Sequence, residues 1–319
     1  MSSTPPARRP RRRLLLRALL VLLATLVLLI VSGIRSDIAQ AALVEKYGGG
    51  ASRFVALEGM QVHYRDEGAG PPLVLIHGTS SSLHTWDGWV ARLSAKRRIV
   101  RLDLPGYGLT GPAPDRDYHA SRYARLIVAL MDSLGIDKAD VAGNSLGGRV
   151  ALTMALEHPA RVKRLVLVDA AGLSGQKPPA IFALARTPVI GQSLRWLTPR
   201  AIVKKNVEEV YGDPSRVTEP LVDRYYELTR REGNRQALLD RFGAPLDPPL
   251  DEHLGEIKVP VLLEWGERDR WIPLPFAQRF LAGIQGAKLV TYPDAGHVPM
   301  EELPEATARD ADAFLTSAP

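Results

Sequence analysis

The chain contains no cysteine, so disulfide bridges and thiolate metal sites are excluded, and the redox state of its compartment leaves no trace in it. It also has no acidic residue before Asp37, whereas Arg8, Arg9, Arg11, Arg12, Arg13, Arg17 and Arg35 all precede that point. The formal net charge of +6 therefore belongs to a leader: of 41 basic residues, 34 remain once those seven are set aside, against 35 acidic ones. A body so close to neutrality offers no basic surface for nucleic acid, and none is expected as a partner. No internal repeat is present. What is present is 319 residues, 45% hydrophobic and 24% charged, enough for one main folded domain with a large core.

After the arginines, Leu14 to Ser32 is apolar apart from Arg17 and approaches the ~20 residues that cross a bilayer. Positive charge on its N-terminal side predicts a single-pass membrane protein with a cytoplasmic N-terminus and an exported body. Ala39-Gln40-Ala41 offers the alternative of leader cleavage, giving a secreted or periplasmic protein, but the length of the apolar run favours an anchor. Arg12-Arg13 loosely resembles a twin-arginine export signal. Residues 1–36 are thus expected as leader and anchor, and 37–51 as a stalk, with Gly48-Gly49-Gly50 as a flexible joint.

From Ser52 onward, Phe54–Leu57 and Gln61–Tyr64 predict a hairpin, followed by strands at Leu73–Ile76, Arg98–Leu102, Ala139–Ala142 and Val162–Val168. Helical patterns at Leu83–Leu93, Tyr118–Leu134 and Leu146–Glu157 alternate with them. This alternation indicates an α/β fold whose parallel sheet is covered on both faces, with chemistry in the loops at the strand C-termini. The alternation stops after Gly172 and resumes with strands at Val259–Trp265 and Lys288–Tyr292 and helices at Pro275–Ile284 and Pro304–Leu315. The core is therefore expected over 52–172 and 256–319. The proline-punctuated residues 173–255, with helical stretches such as Val217–Arg230, form an inserted helical cap.

Gly143-Asn144-Ser145-Leu146-Gly147-Gly148 sits between a predicted strand and a predicted helix, which places Ser145 on a sharp turn as a candidate nucleophile. The flanking glycines permit the crowded backbone of such an elbow, and Gly148 lets the helix pack closely on the sheet. His297 follows the last strand in Asp294-Ala295-Gly296-His297 and is the candidate base. Asp269 and Asp169 each follow a strand and could orient it. The order Ser145, Asp269, His297 favours Asp269, with Asp169 as the alternative acid. Backbone N–H groups of Leu146 and of Thr79, which follows His77-Gly78, are candidate oxyanion donors, while His77 itself reads as structural.

Taken with Asp103-Leu104-Pro105-Gly106-Tyr107-Gly108, these motifs resemble the α/β-hydrolase fold superfamily from about residue 52 to the C-terminus. The resemblance implies Ser, His and Asp acting in acyl transfer beneath a helical cap, with no metal or organic cofactor. Together with the leader, it also resembles membrane-anchored monoacylglycerol lipases. Ser145 stands where haloalkane dehalogenases and epoxide hydrolases carry Asp. Gly-Asn-Ser resembles the carbon–carbon bond hydrolases of meta-cleavage products, but these typically have Trp after the catalytic His and a glycine-rich run after His-Gly. This chain has Val298 and Thr79-Ser80-Ser81-Ser82 there. The expected activity is hydrolysis of carboxylic esters, acylglycerols or other apolar acyl esters, through an acyl-enzyme. The alternatives are carbon–carbon bond hydrolysis and non-catalytic ligand binding on the same fold. Trp86, Trp89, Trp196 and Trp271 are candidates to line an apolar acyl pocket.

Overall fold

The computed structural model describes residues 15–17, 19–25, 34–176, 187–193 and 195–317. Strands β1 (Arg53–Leu57) and β2 (Met60–Glu67) form a hairpin whose two turn residues, Glu58 and Gly59, take φ of 47° and 78°. A turn of that hand matches the twist of the strands it joins. The sheet continues with β3 (Pro72–Ile76), β4 (Arg98–Leu102), β5 (Ala139–Asn144), β6 (Val162–Val168), β7 (Val261–Gly266) and β8 (Lys288–Tyr292). Its order is β1-β2-β4-β3-β5-β6-β7-β8, antiparallel through the β2–β4 pair and parallel across every later pair. The chain runs from β3 outward to β4 and then back to β5 on the other side. That reversal opens a crevice beyond the C-terminal ends of β3 and β5.

Alternate strand residues serve opposite faces. Val74 and Ile76 pack with Val100, Leu102, Val141, Leu165 and Leu167 beneath α2 (Ala120–Ser133) and α3 (Leu146–Glu157). Leu73 and Leu75 pack with Ile99, Ala142, Val166 and Val168 beneath α1 (Asp87–Leu93) and the C-terminal helix Pro304–Thr316. Helix α2 shows the helical counterpart, with Tyr123, Leu126, Ile127, Leu130 and Met131 all buried on one stripe. Each such side chain contributes roughly 1.5–3 kcal/mol by leaving water.

Between β6 and β7 lie a short helix at Pro188–Ser193, then α4 (Arg200–Val210), α5 (Glu219–Thr229) and α6 (Asn234–Gly243), forming a cap over the crevice. Of the prolines that mark this region, Pro188, Pro199, Pro214 and Pro220 stand at helix starts, Pro245, Pro248 and Pro249 lie in the segment after α6, and Pro178 and Pro179 lie outside the described residues. Pro220 occupies the first turn of α5, where a missing N–H costs nothing, and the Thr218 hydroxyl accepts from Leu221 N–H. After β7 come α7 (Pro275–Gly283), β8, α8 (Pro299–Glu302) and α9 (Pro304–Thr316).

Residues 34–48, expected in part as a stalk, run along the cap as a strap. Arg35 N–H donates to the Trp196 carbonyl at 3.0 Å, Ile38 N–H to the Arg230 carbonyl at 2.8 Å, and Glu232 N–H to the Ile38 carbonyl at 3.0 Å. Leu43 is 1% exposed and packs with Leu109 and Leu228. Gly48, expected in a flexible joint, has its carbonyl held by the Ser52 hydroxyl at 2.6 Å and by Arg65.

The expected membrane topology is corrected. Among the described residues no helix is long and apolar enough to cross a membrane. Of the apolar run at 14–32, residues 15–17 and 19–25 are helical with exposed side chains, and the others lie outside the described residues. A membrane-spanning leader with an exported body is therefore withdrawn.

Candidate active site

Ser145 lies between the last residue of β5 and the first of α3, with φ 54° and ψ −116°, a conformation that L-residues avoid unless their surroundings enforce it. The surroundings do so here. Ser145 N–H donates to the Val168 carbonyl, and its own carbonyl accepts from Arg149 and Ala171 N–H. The neighbouring glycines are sterically required: a Cβ on Gly143 would lie 2.2 Å from the Gly147 carbonyl oxygen, and one on Gly147 would lie 2.1 Å from that of Ile76. A Cβ on Gly148 would lie 2.6 Å from the Ala170 Cβ, so α3 can approach β6 only because that atom is missing.

His297 follows β8 and is 3% exposed. Its Nδ1–H donates to Asp269 Oδ2 at 2.7 Å, which leaves Nε2 as the nitrogen able to accept a proton. Asp269 Oδ1 accepts in turn from Trp271 and Ile272 N–H at 2.7 and 2.9 Å. Asp169, the alternative acid, faces Gly266 N–H at 3.1 Å instead. Burial, followed by the adjacent Asp269 charge, raises its pKa well above the usual carboxylate range and so favours its neutral form. Asp169, Asp269 and His297 bring ligand-type atoms within 4.8 Å of one another. However, the 2.7 Å contact between His297 and Asp269 is a hydrogen bond with no room for an ion between the two atoms.

Ser145, His297 and Thr79 line one cavity of about 140 Å³, together with Ile202, Val203 and Val207 of the cap and Trp271. The chain after β3 passes directly against the elbow: a Cβ on Gly78 would lie 3.2 Å from the Ser145 Cβ. Thr79 is thereby brought beside Ser145, while Leu146 N–H belongs to the first turn of α3, where backbone donors have no helical partner. His77 is structural. Its Nδ1–H donates to the Gly78 carbonyl, its Nε2 accepts from Leu104 N–H, and burial lowers its pKa so that it stays neutral.

Of the four tryptophans proposed for the pocket, only Trp271 lines it, its ring 5.3 Å from the His297 imidazole. Trp86 and Trp89 are fully buried between α1 and α9, and Trp196 is exposed on the cap. Aromatic residues near a mouth in sequence need not face it, because a one-residue rotation on a helix turns a side chain by 100°. Asn144 has a role that local spacing does not reveal. Its Nδ2 donates to the His297 carbonyl at 2.9 Å and so ties the elbow to the base loop. A second Ser-His-Asp set also emerges: Ser52 Oγ lies 2.6 Å from His63 Nε2, and His63 Nδ1 lies 2.7 Å from Asp103 Oδ2. There the hydroxyl donates to the Gly48 carbonyl and Asp103 accepts from Leu83 and Leu109 N–H, so the set fastens loops together.

With the sheet order, elbow and His–Asp pair established, comparison with known proteins adds a family. Residues 73–311 match the alpha/beta hydrolase family. The chain belongs to that family. It is a hydrolase, so the expectation of an enzyme is met. Among similar family members, a 2-hydroxy-6-oxo-2,4-heptadienoate hydrolase of Pseudomonas putida is 28% identical over 77% of this chain and 89% of its own length. A 2-hydroxy-6-oxononadienedioate/2-hydroxy-6-oxononatrienedioate hydrolase of Paraburkholderia phymatum is 32% identical over 77% of this chain and 89% of its own. The crystal structure of a membrane phospholipase A, described as a bacterial virulence factor, superposes with a TM-score of 0.70 at 26% identity, covering 96% of this chain and 98% of that one.

Proposed function

We propose that this α/β hydrolase is a serine esterase for substrates with an uncharged, apolar acyl group. Ser145 Oγ attacks the ester carbonyl while His297 Nε2 takes its proton. Asp269 holds the imidazole in the required tautomer, and Thr79 and Leu146 N–H receive the charge on the carbonyl oxygen. The same proton passes to the departing alcohol as the carbon–oxygen bond breaks. Water, activated by His297, then releases the acid and restores Ser145.

The observation that carries the choice of substrate is the charge balance of the cavity. Apart from His297, Arg235 is the one charged side chain among the described residues lining it. Arg235 is already paired with Asp37 of the strap at 2.7 Å and bonded to the Arg35 carbonyl. A dienoate substrate carries a carboxylate, and that anion would have to compete with Asp37 for Arg235, the one permanent cation among the described lining residues. The structural likeness to the phospholipase covers 96% of this chain, whereas that to a meta-cleavage product hydrolase of Pseudomonas fluorescens covers 82%.

A second reading is carbon–carbon bond hydrolysis of the meta-cleavage type. The names of the curated relatives favour it over ester cleavage, and Gly143-Asn144-Ser145 carries the Gly-Asn-Ser resemblance to such hydrolases. A panel of p-nitrophenyl esters, run beside 2-hydroxy-6-oxo-6-phenylhexa-2,4-dienoate followed by loss of its colour, separates the two. Ester turnover that rises with acyl length and vanishes in Ser145→Ala supports the first reading. Faster consumption of the dienoate than of any ester overturns it in favour of the second.

A further inference from the structure

The loop that carries His297 is fastened to the cap as firmly as to the sheet. His297 N–H donates to the carbonyl of Val210, the last residue of α4, at 2.7 Å. Five residues beyond His297, at the end of α8, Glu302 is 6% exposed and divides its carboxylate between two loops. Oε1 accepts from Gly296 N–H at 2.6 Å, directly before the histidine. Oε2 accepts from Gly212 and Asp213 N–H at 2.8 and 3.2 Å, two and three residues beyond the end of α4. The two loops meet backbone to backbone: a Cβ on Gly296 would lie 2.4 Å from the Val210 carbonyl oxygen, and one on Gly212 would lie 2.6 Å from that of Asp294. Glu301 ties the same helix to the cap again, accepting from the hydroxyls of Tyr211 and Tyr225, each at 2.7 Å.

A carboxylate has acceptor capacity for all three amides at once. A carboxamide does not, because its NH2 would meet an N–H and leave one loop unpaired in a buried site. No reacting atom is touched by Glu302, and a surface role is excluded by its burial.

We infer that Glu302 is a positioning residue: its carboxylate locks the His297 loop to the cap, so that the general base is aligned with Ser145 only while the cap is seated. This rests on the serine-hydrolase reading above. It assigns the cap a part in catalysis separate from enclosing substrate, since lifting the segment after α4 would draw on the amide and carboxylate bonds that hold Gly296 and His297.

The test is the rate at which Ser145 in the full chain is labelled by a fluorophosphonate, a reagent small enough to need little from the cap as a binding wall. Glu302→Gln, confirmed folded by its thermal midpoint, is expected to label about 10-fold or more slowly, since ~1 Å of misplacement of a catalytic group can cost on the order of 100-fold. The downfield proton resonance of His297 Nδ1–H should shift or broaden with it. A folded Glu302→Gln that labels at the wild-type rate and keeps that resonance overturns the proposal and leaves Glu302 merely structural. If Glu302→Gln does not fold, Glu302→Asp is read instead, because its shorter arm keeps the charge and cannot span both loops. The same loss is expected, and a wild-type rate overturns the inference. Absence of labelling in the wild type would instead bring down the Ser145 reading, and this one with it.

Discussion

Ser145 holds a backbone conformation that a free serine would leave, and the atoms enforcing it belong to residues as far away as Ile76 and Val168. The Gly-x-Ser-x-Gly spacing announced the turn. The reason each glycine is needed became visible only as distances to other strands. Gly147→Ala is expected to lower stability by about 1–3 kcal/mol, because its new methyl would sit 2.1 Å from the Ile76 carbonyl oxygen; denaturant melts measure the loss. The two carboxylates near His297 separate at this scale as well. Asp269→Asn should lower kcat for an ester by on the order of 10⁴, because the amide can present its NH2 to Nδ1 and favour the wrong tautomer. Asp169→Asn should cost less than about 10-fold, since burial favours the neutral carboxyl, which a neutral amide of similar shape replaces. Steady-state kinetics of the two variants decide the assignment, and equal losses would mean that Asp169 shares the acid's role.

Among the elements, strands and sheet-packing helices were the most legible because their burial is periodic. The alternation of Leu73, Leu75 with Val74, Ile76 and the stripe on α2 reproduce the patterns in the sequence. The strap was the least legible. Its polar, glycine-rich end resembles a linker, and the bonds that hold it reach residues almost two hundred positions away, at Arg230 and Glu232. Leu43→Ala is expected to cost about 2–5 kcal/mol, the usual range for emptying a buried leucine site. A chain beginning at Ser52 should melt at a lower temperature than one beginning at Ile34, since it leaves Arg235 on the cavity wall without Asp37. Calorimetry of the two chains reads the difference, and equal midpoints would show that the strap adds nothing to the fold.

For the molecule as a whole, buried titratable groups pull stability in opposite directions as pH changes. Burial lowers the pKa of His84 to about 4, with Arg224 and Arg65 adding to the effect, and burial lowers that of His77 as well. A histidine depressed in the fold contributes stability that is present above its ordinary value near 6.5 and lost as pH falls toward the folded value. Asp103 acts in the same sense at lower pH: burial opposes its ionisation, but His63, hydrogen-bonded to it, holds it below the usual range. Asp169 and Glu264, both raised by burial, act the other way, gaining stability as pH falls toward the ordinary carboxylate value. The His84 contribution is therefore read as a difference. Relative to the wild type, His84→Gln should gain about 3 kcal/mol between pH 7 and pH 4, measured by melts across that range. A constant difference would show that His84 does not titrate as argued. The sequence by itself determined the alternation that builds the sheet, the glycine-framed serine turn, and the chain order of hydroxyl, carboxylate and imidazole, because each is written in local spacing. Only the tertiary structure decided which aspartate meets His297, which tryptophan faces the cavity, and that Glu302 and the strap belong to the site's framework. Those outcomes depend on hydrogen bonds and packing between segments far apart in the chain, whose approach no local pattern records.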